Sequence, residues 1–194
     1  MMNHMETILA VITGIGLSAA CGFRIFVPLL ALSIANKYGY LALAPGFEWI
    51  GGNYALIAFA SATALEIIAY YIPWLDNAMD AIASPVSIIA GTIATASVIT
   101  DIPPSLKWMV AIIAGGGIAG LLQGATTALR AKSSLFSGGL GNPIISTLEL
   151  AGAAIIALLA IILPIVGFIF VAGFAIYALA KAGRSFFRKM NVGK

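Results

Sequence analysis

The 194-residue chain is 61% apolar and only 9% charged, with ten Lys and Arg against seven Asp and Glu for a formal net charge of +3. Its mean hydropathy is +1.07. So little charge excludes a soluble globular domain, and long unbroken apolar runs exclude the alternating pattern of a membrane β-barrel, which leaves an all-α polytopic membrane bundle. The single cysteine, Cys21, has no intrachain partner for a disulfide, so cysteine usage does not identify a compartment.

The first apolar run extends from about Ile8 to Ala35. Its roughly 28 residues make about 42 Å of helix, more than the roughly 30 Å hydrocarbon core. Gly14, Gly16, Gly22 and Pro28 supply places for a bend or break, and Arg24 lies in the middle of the run. An ionisable residue inside a membrane marks a functional site by default and needs a partner, unless its long side chain snorkels to the headgroups. The stretch Leu17-Ser18-Ala19-Ala20-Cys21 loosely follows a lipoprotein cleavage site. No Lys or Arg precedes Ile8, however, and the apolar run continues to Leu30, so a retained first helix is expected. His4, the one histidine, is close to the terminus and is expected in solvent.

Membrane helices are expected near 8–35, 54–72, 82–100, 108–130, 143–163 and 165–181, six in all. Residues 36–53, with Lys37, Trp49 and Gly51-Gly52, read as an interfacial loop. Asp76 and Asp80, four apart after Pro73, would share one face of a short interfacial helix. The last two spans form one apolar block of about 39 residues, nearly twice the core thickness, which must fold back near Pro164 and Gly167 as two spans or a re-entrant hairpin. Lys181, Arg184, Arg188, Lys189 and Lys194 crowd the C-terminus, so the basic tail 183–194 is expected in the cytoplasm. Six spans bring the N-terminus to the same side, with Arg130 and Lys132 inside and Lys37 and Lys107 outside.

Residues 1–194 thus read as a single transmembrane domain. A faint repetition runs through it: residues 14–22 resemble 115–124, and Ile89-Ala90-Gly91 resembles Val171-Ala172-Gly173. Three spans separate each pair, so halves 1–101 and 107–182 would be inverted, although small residues also match by chance.

Two carboxylates accompany Arg24. Glu66 and Glu149 are each flanked by apolar residues at similar depth, and either face each other or bracket Arg24. Two close carboxylates cannot both ionise cheaply in low dielectric, so one is a candidate proton carrier; a static buried pair with Arg24 is the structural alternative. In the fourth span Thr126 and Thr127 can satisfy their own helix backbone and Gln123 can bridge helices, while Gly116, Gly120 and Gly124 form GxxxG pairs for close helix approach or a flexible hinge. Ser137-Gly138-Gly139-Leu140-Gly141-Asn142-Pro143 opens the fifth span; Asn142 is available to cap it, and free N–H groups there make either an anion site or an ordinary capped turn. There is no metal-ligand cluster and no nucleophile with an obvious base, so neither an enzyme, a catalytic residue, a metal nor a cofactor is expected.

Ala20-Cys21-Gly22-Phe23-Arg24 with Pro28-Leu29-Leu30, Pro73-Trp74-Leu75-Asp76-Asn77 with Asp80 and Pro85, Gly115-Gly116-Gly117 with Gln123-Gly124, and Gly138-Gly139-Leu140-Gly141-Asn142-Pro143 with Glu149 together resemble a bacterial integral-membrane family catalogued only as a domain of unknown function. The resemblance covers the chain up to about Pro164 and implies a small bacterial inner-membrane protein. It implies no substrate.

The residues themselves lead to the expectation of a small secondary transporter for an anionic small molecule. Arg24, Glu66, Glu149, Gln123, Gly141 and Asn142 would form the binding or ion-coupling site, with Gly22, Pro28 and Pro164 as hinges or helix breaks. A lipid or polyprenyl-phosphate translocase and a non-transporting scaffold or subunit remain open beside it. The expected partner is the lipid bilayer, nucleic acid is not expected, and a homo-oligomer is left open.

Overall fold

A computed structural model of the protein describes residues 4–176 and residue 180. Regular structure among them is helical: α1 (His4–Phe23), α2 (Phe26–Lys37), α3 (Asn53–Tyr70), α4 (Pro73–Val98), α5 (Pro104–Ser137), α6 (Asn142–Ile162) and α7 (Pro164–Ile176), with a 3-10 turn at Glu48–Gly51. Five of these helices contain a stretch long and apolar enough to cross a membrane, while α2 and α7 are shorter apolar helices. The polytopic all-helical bundle is therefore as the composition requires.

The expected first span is two helices, divided at Arg24 and Ile25. A helix that starts inside an apolar bundle exposes N–H groups with no intrahelical acceptor. Pro28, third in α2, has no N–H to satisfy, and its ring fixes φ near the helical value. The Glu66 carboxylate takes two of the others, accepting from Ile25 N–H at 2.9 Å and Phe26 N–H at 3.1 Å. Asp76 and Asp80 do not occupy a separate interfacial helix. They lie in the first turns of α4, which continues through Pro85 to Val98, and both are buried. The 143–181 block folds back where Leu163 leaves the helical conformation and Pro164 opens α7. The hairpin is tight, since a Cβ on Gly167 would stand 3.1 Å from the Ala160 backbone nitrogen.

Contacts between helices fix their directions. Phe26 lies against Glu66 while Lys37 Nζ is 2.6 Å from Asn53 Oδ1, so α2 runs antiparallel to α3. Thr95 Oγ1 donates to Gly14 O at 3.0 Å and Gly91 packs on Ser18, so α1 is antiparallel to α4. Ser18 Oγ donates to Gly115 O, and Gly22 packs on Ala119 and Leu122, so α1 and α5 run the same way. Consequently α2 returns toward the end from which α1 entered. The start of α1, loop 38–52 and residues 99–103 share that end, where Ala44 N–H donates to Ser97 O at 2.7 Å. Residues 71–72 and 138–141 lie at the other. From Pro164, α7 heads toward this second end, with the Phe174 ring 5.9 Å from that of Phe23.

Two expectations change as a result. The chain reverses at Arg24, so the start of α1 and the far end of α7 point to opposite ends of the bundle rather than the same one. The stretches 14–22 and 115–124 lie side by side in parallel helices, and so do not belong to halves of opposite orientation. The basic tail 183–194 lies outside the described residues.

Small residues allow these crossings. A Cβ on Gly16 would stand 2.7 Å from the Ala160 Cβ, and one on Gly22 would stand 2.6 Å from the Ala119 carbonyl oxygen. In a bilayer such close approach and the interhelical hydroxyl bonds of Ser18 and Thr95 replace the hydrophobic drive that water supplies to soluble bundles. Backbone cannot yield as a flexible side chain can. Gly22→Leu is accordingly expected to destabilise the protein by about 1–3 kcal/mol, measured as a lower unfolding midpoint in detergent. Accessibility tags at His4 and Gly46 are expected to report one side of the membrane and a tag at Gly139 the other; His4 reporting with Gly139 would contradict the hairpin at Arg24.

Candidate functional site

The break between α1 and α2 places Arg24, 1% exposed, against α3 and α6. Its Nη2 donates to the backbone oxygen of Ser146 at 2.9 Å and to Ser146 Oγ, and lies 3.5 Å from Glu149 Oε2. The guanidinium carbon is 3.9 Å from the centroid of the Tyr70 ring. Arg24 Nε and Nη1 have no acceptor.

Glu149 is shared with a second arginine. Arg130 Nε donates to Glu149 Oε1 at 3.1 Å, its Nη2 contacts Glu149 Oε2, and its Nη1 is 3.3 Å from Asp80 Oδ1. Its guanidinium carbon lies 4.0 Å from the Tyr70 centroid, so one aromatic ring meets both cations. Each such contact contributes about 0.5–2 kcal/mol, with desolvated pairs at the upper end. Beyond Asp80, one turn back along α4, Asp76 Oδ2 accepts from Asn142 Nδ2 at 2.6 Å, and the same Nδ2 lies 3.0 Å from Ser134 Oγ.

Glu66 meets Arg24 differently from Glu149. It holds the two peptide N–H groups that follow Arg24 in sequence, while Glu149 meets the guanidinium itself. The two carboxylates thus bracket the residue, one at its backbone and one at its side chain. Gln123 is buried but stays within its own helix, with Nε2 3.3 Å from Thr127 Oγ1, while its backbone carbonyl accepts from Thr126 Oγ1 at 3.0 Å. Gly141 N–H donates to Ser137 Oγ at 3.0 Å and Asn142 N–H to Gly139 O at 3.0 Å, so these donors at the start of α6 are already engaged. Asn142 occupies the first helical position rather than the cap, which is Gly141, and it joins the cluster through its side chain. Gly22 and Pro28 flank the break at Arg24, and Pro164 opens α7.

Arg130, Asp76 and Asp80 are the members that sequence reasoning placed elsewhere. Arg130 ends an apolar run beside Lys132, which reads as a boundary charge. A signal was nevertheless present: Gln123, Thr126, Thr127 and Arg130 recur at intervals of three, four and seven residues, one polar face along α5. The assembled site sets two guanidiniums against four buried carboxylates, Glu66, Asp76, Asp80 and Glu149. Among the described residues no group of three or more His, Cys, Asp or Glu could hold a metal ion. Two apolar grooves reach the cluster from outside: one of about 460 Å³ includes Phe26, Leu65, Glu66 and Met79 in its wall, the other of about 260 Å³ includes Phe23, Thr126, Glu149 and Phe174.

Removing one partner from a buried ion network leaves the others uncompensated, whereas replacing the whole set by isosteric neutral groups is often tolerated. Arg130→Met is therefore expected to cost about 3–5 kcal/mol. The triple variant Arg130→Met, Glu149→Gln, Asp80→Asn is expected to recover most of that loss in detergent unfolding; simple addition of the single losses would count against the network.

No curated protein and no solved structure matches the chain. Residues 11–183 match the family described as Domain of unknown function (DUF4126), and because that match spans most of the 194 residues, this polytopic membrane protein belongs to that family.

Proposed function

We propose that the protein is a small proton-coupled secondary transporter of an anionic solute in the bacterial cytoplasmic membrane, and not an enzyme. The observation that carries this reading is the pair of unsatisfied nitrogens on Arg24. A guanidinium offers five N–H donors in a planar fork, and with Nη2 alone engaged, Nε and Nη1 are left to meet acceptor oxygens of a ligand. A buried donor left empty costs about 1–3 kcal/mol, more when charged, so a sequence that retains three of them on one side chain is better explained by a ligand than by packing.

Glu149 is the proton-carrying group in this scheme. It sits within 3.5 Å of Arg24 Nη2 and so repels any anion that approaches the free edge. Protonating Glu149 removes that repulsion, which ties entry of the anion to entry of a proton. Arg130 then retains Asp80 as its counter-ion. The site end carries Arg130 and Lys132 and receives α7, the helix that precedes the basic tail in sequence, so this end faces the cytoplasm under the positive-inside rule. The start of α1, Lys37 and Lys107 then face outward.

The two outer grooves support a second reading, a lipid or polyprenyl-phosphate translocase. Their linings are almost wholly apolar and each includes one carboxylate of the site, which suits an alkyl chain lying outside while a phosphate reaches Arg24.

Proteoliposomes with an imposed pH gradient and a panel of labelled phosphate, small carboxylates and polyprenyl phosphate separate these from a scaffold. Wild-type protein is expected to take up at least one anion in a gradient-dependent manner. Arg24→Lys is expected to weaken apparent affinity about ten- to hundredfold, equivalent to about 1.4–2.8 kcal/mol, because an ammonium cannot present the planar fork. The neutral pair Arg24→Met with Glu149→Gln is expected to fold and not transport. Uptake by that pair equal to wild type would overturn the role of Arg24. Uptake restricted to the polyprenyl phosphate would select the lipid reading.

A further inference from the structure

Asp76 has no part in the scheme above, yet it is wholly buried with one oxygen unsatisfied. Its Oδ2 takes the 2.6 Å bond from Asn142 Nδ2, while Oδ1 has no donor. Asn142, 1% exposed, has the complementary defect: Nδ2 is engaged by Asp76 and Ser134, and its Oδ1 has no donor either. Two orphaned oxygens on side chains joined by a single contact are both acceptors. What completes them carries positive charge or N–H and O–H donors, the opposite of what Arg24 calls for. Arg130 is occupied by Glu149 and Asp80, and the contacts of Arg24 go to Ser146, Glu149 and Tyr70, so among the described residues no side-chain cation pairs with Asp76.

The two unsatisfied atoms are both oxygens, one from a carboxylate and one from an amide carbonyl. Hard cations take such ligands, and a single carboxylate is too little charge to strip the water from a divalent ion. We infer that Asp76 Oδ1 and Asn142 Oδ1 bind a monovalent alkali cation of the sodium class. The electrostatic balance points the same way, because four buried carboxylates outnumber two guanidiniums. A proton on Glu149 and one alkali ion at Asp76 bring the site to neutrality before an anion enters. The cation would thereby be a second coupling ion; that role rests on the transporter reading, whereas binding itself does not.

The test uses the full chain in detergent, without any anionic substrate, as sodium chloride replaces choline chloride at constant ionic strength. A ligand that binds the folded state raises its unfolding midpoint in a saturable way. Sodium is expected to raise the midpoint by several degrees and labelled sodium to be displaced by unlabelled sodium, with Asp76→Asn weakening both at least tenfold. Absence of displaceable sodium on the wild-type protein would overturn the inference even if Asp76→Asn does not fold. A midpoint indifferent to sodium would also overturn it. A sodium response that survives Asp76→Asn would place the ion elsewhere and reject this site. Sodium binding by a protein that takes up no anion would keep the cation site and remove the transporter; anion uptake indifferent to sodium, with no sodium bound, would do the reverse.

Discussion

A helix that begins inside an apolar bundle needs acceptors for its first N–H groups, and the two bonds from Ile25 and Phe26 to the Glu66 carboxylate meet that need. The rest of the site depends on this contact. The negative carboxylate also complements the positive end of the α2 dipole, and Pro28 removes one further donor from the demand. With the start of α2 fixed, α1 must end at Phe23 and Arg24 must occupy the turn. Its side chain reaches Ser146 and Glu149 on α6 and the Tyr70 ring on α3.

Packing holds the break rigid from the other side. Gly16 and Gly22 bring α1 against Ala160 and Ala119 so closely that a methyl group does not fit, while Ser18 and Thr95 tie α1 to α5 and α4 by bonds to Gly115 and Gly14 carbonyls. Near that crossing α5 carries a turn of π-helix at Ala111–Gly116. Such turns displace the following residues relative to a regular helix, and downstream of it α5 presents Gln123, Thr126, Thr127 and Arg130 along one face. Gly16 and Gly22 thus serve close approach, and Gly22 does so beside the break at Arg24.

Buried ion networks are weak evidence for stability, since apolar replacements of equal volume often do as well. What this network specifies is position. Glu149 joins two arginines, Tyr70 meets both, and Asp80 and Asp76 extend the chain to Asn142, so α1, α3, α4, α5 and α6 are registered at one end of the bundle. Donors remain free on Arg24 and acceptors remain free on Asp76 and Asn142.

Hydropathy by itself determined the membrane class, the all-helical bundle, the position of most spans and the presence of charge at Arg24, Glu66 and Glu149, because the cost of placing polar groups in hydrocarbon is written residue by residue. The fold-back at Pro164 was legible for the same reason: the apolar block was too long for one crossing. Only tertiary structure decided that the first run reverses at Arg24, since the acceptors that permit a helix to begin there lie 40 residues away on Glu66, beyond any local pattern. That reversal turned the chain back inside the first apolar run, and the contacts around it made the two glycine-rich stretches parallel neighbours. It also took tertiary contacts to move Arg130, Asp76 and Asp80 from the membrane boundary into the site, because a charge at the end of an apolar run looks the same whether it meets water or a buried counter-charge.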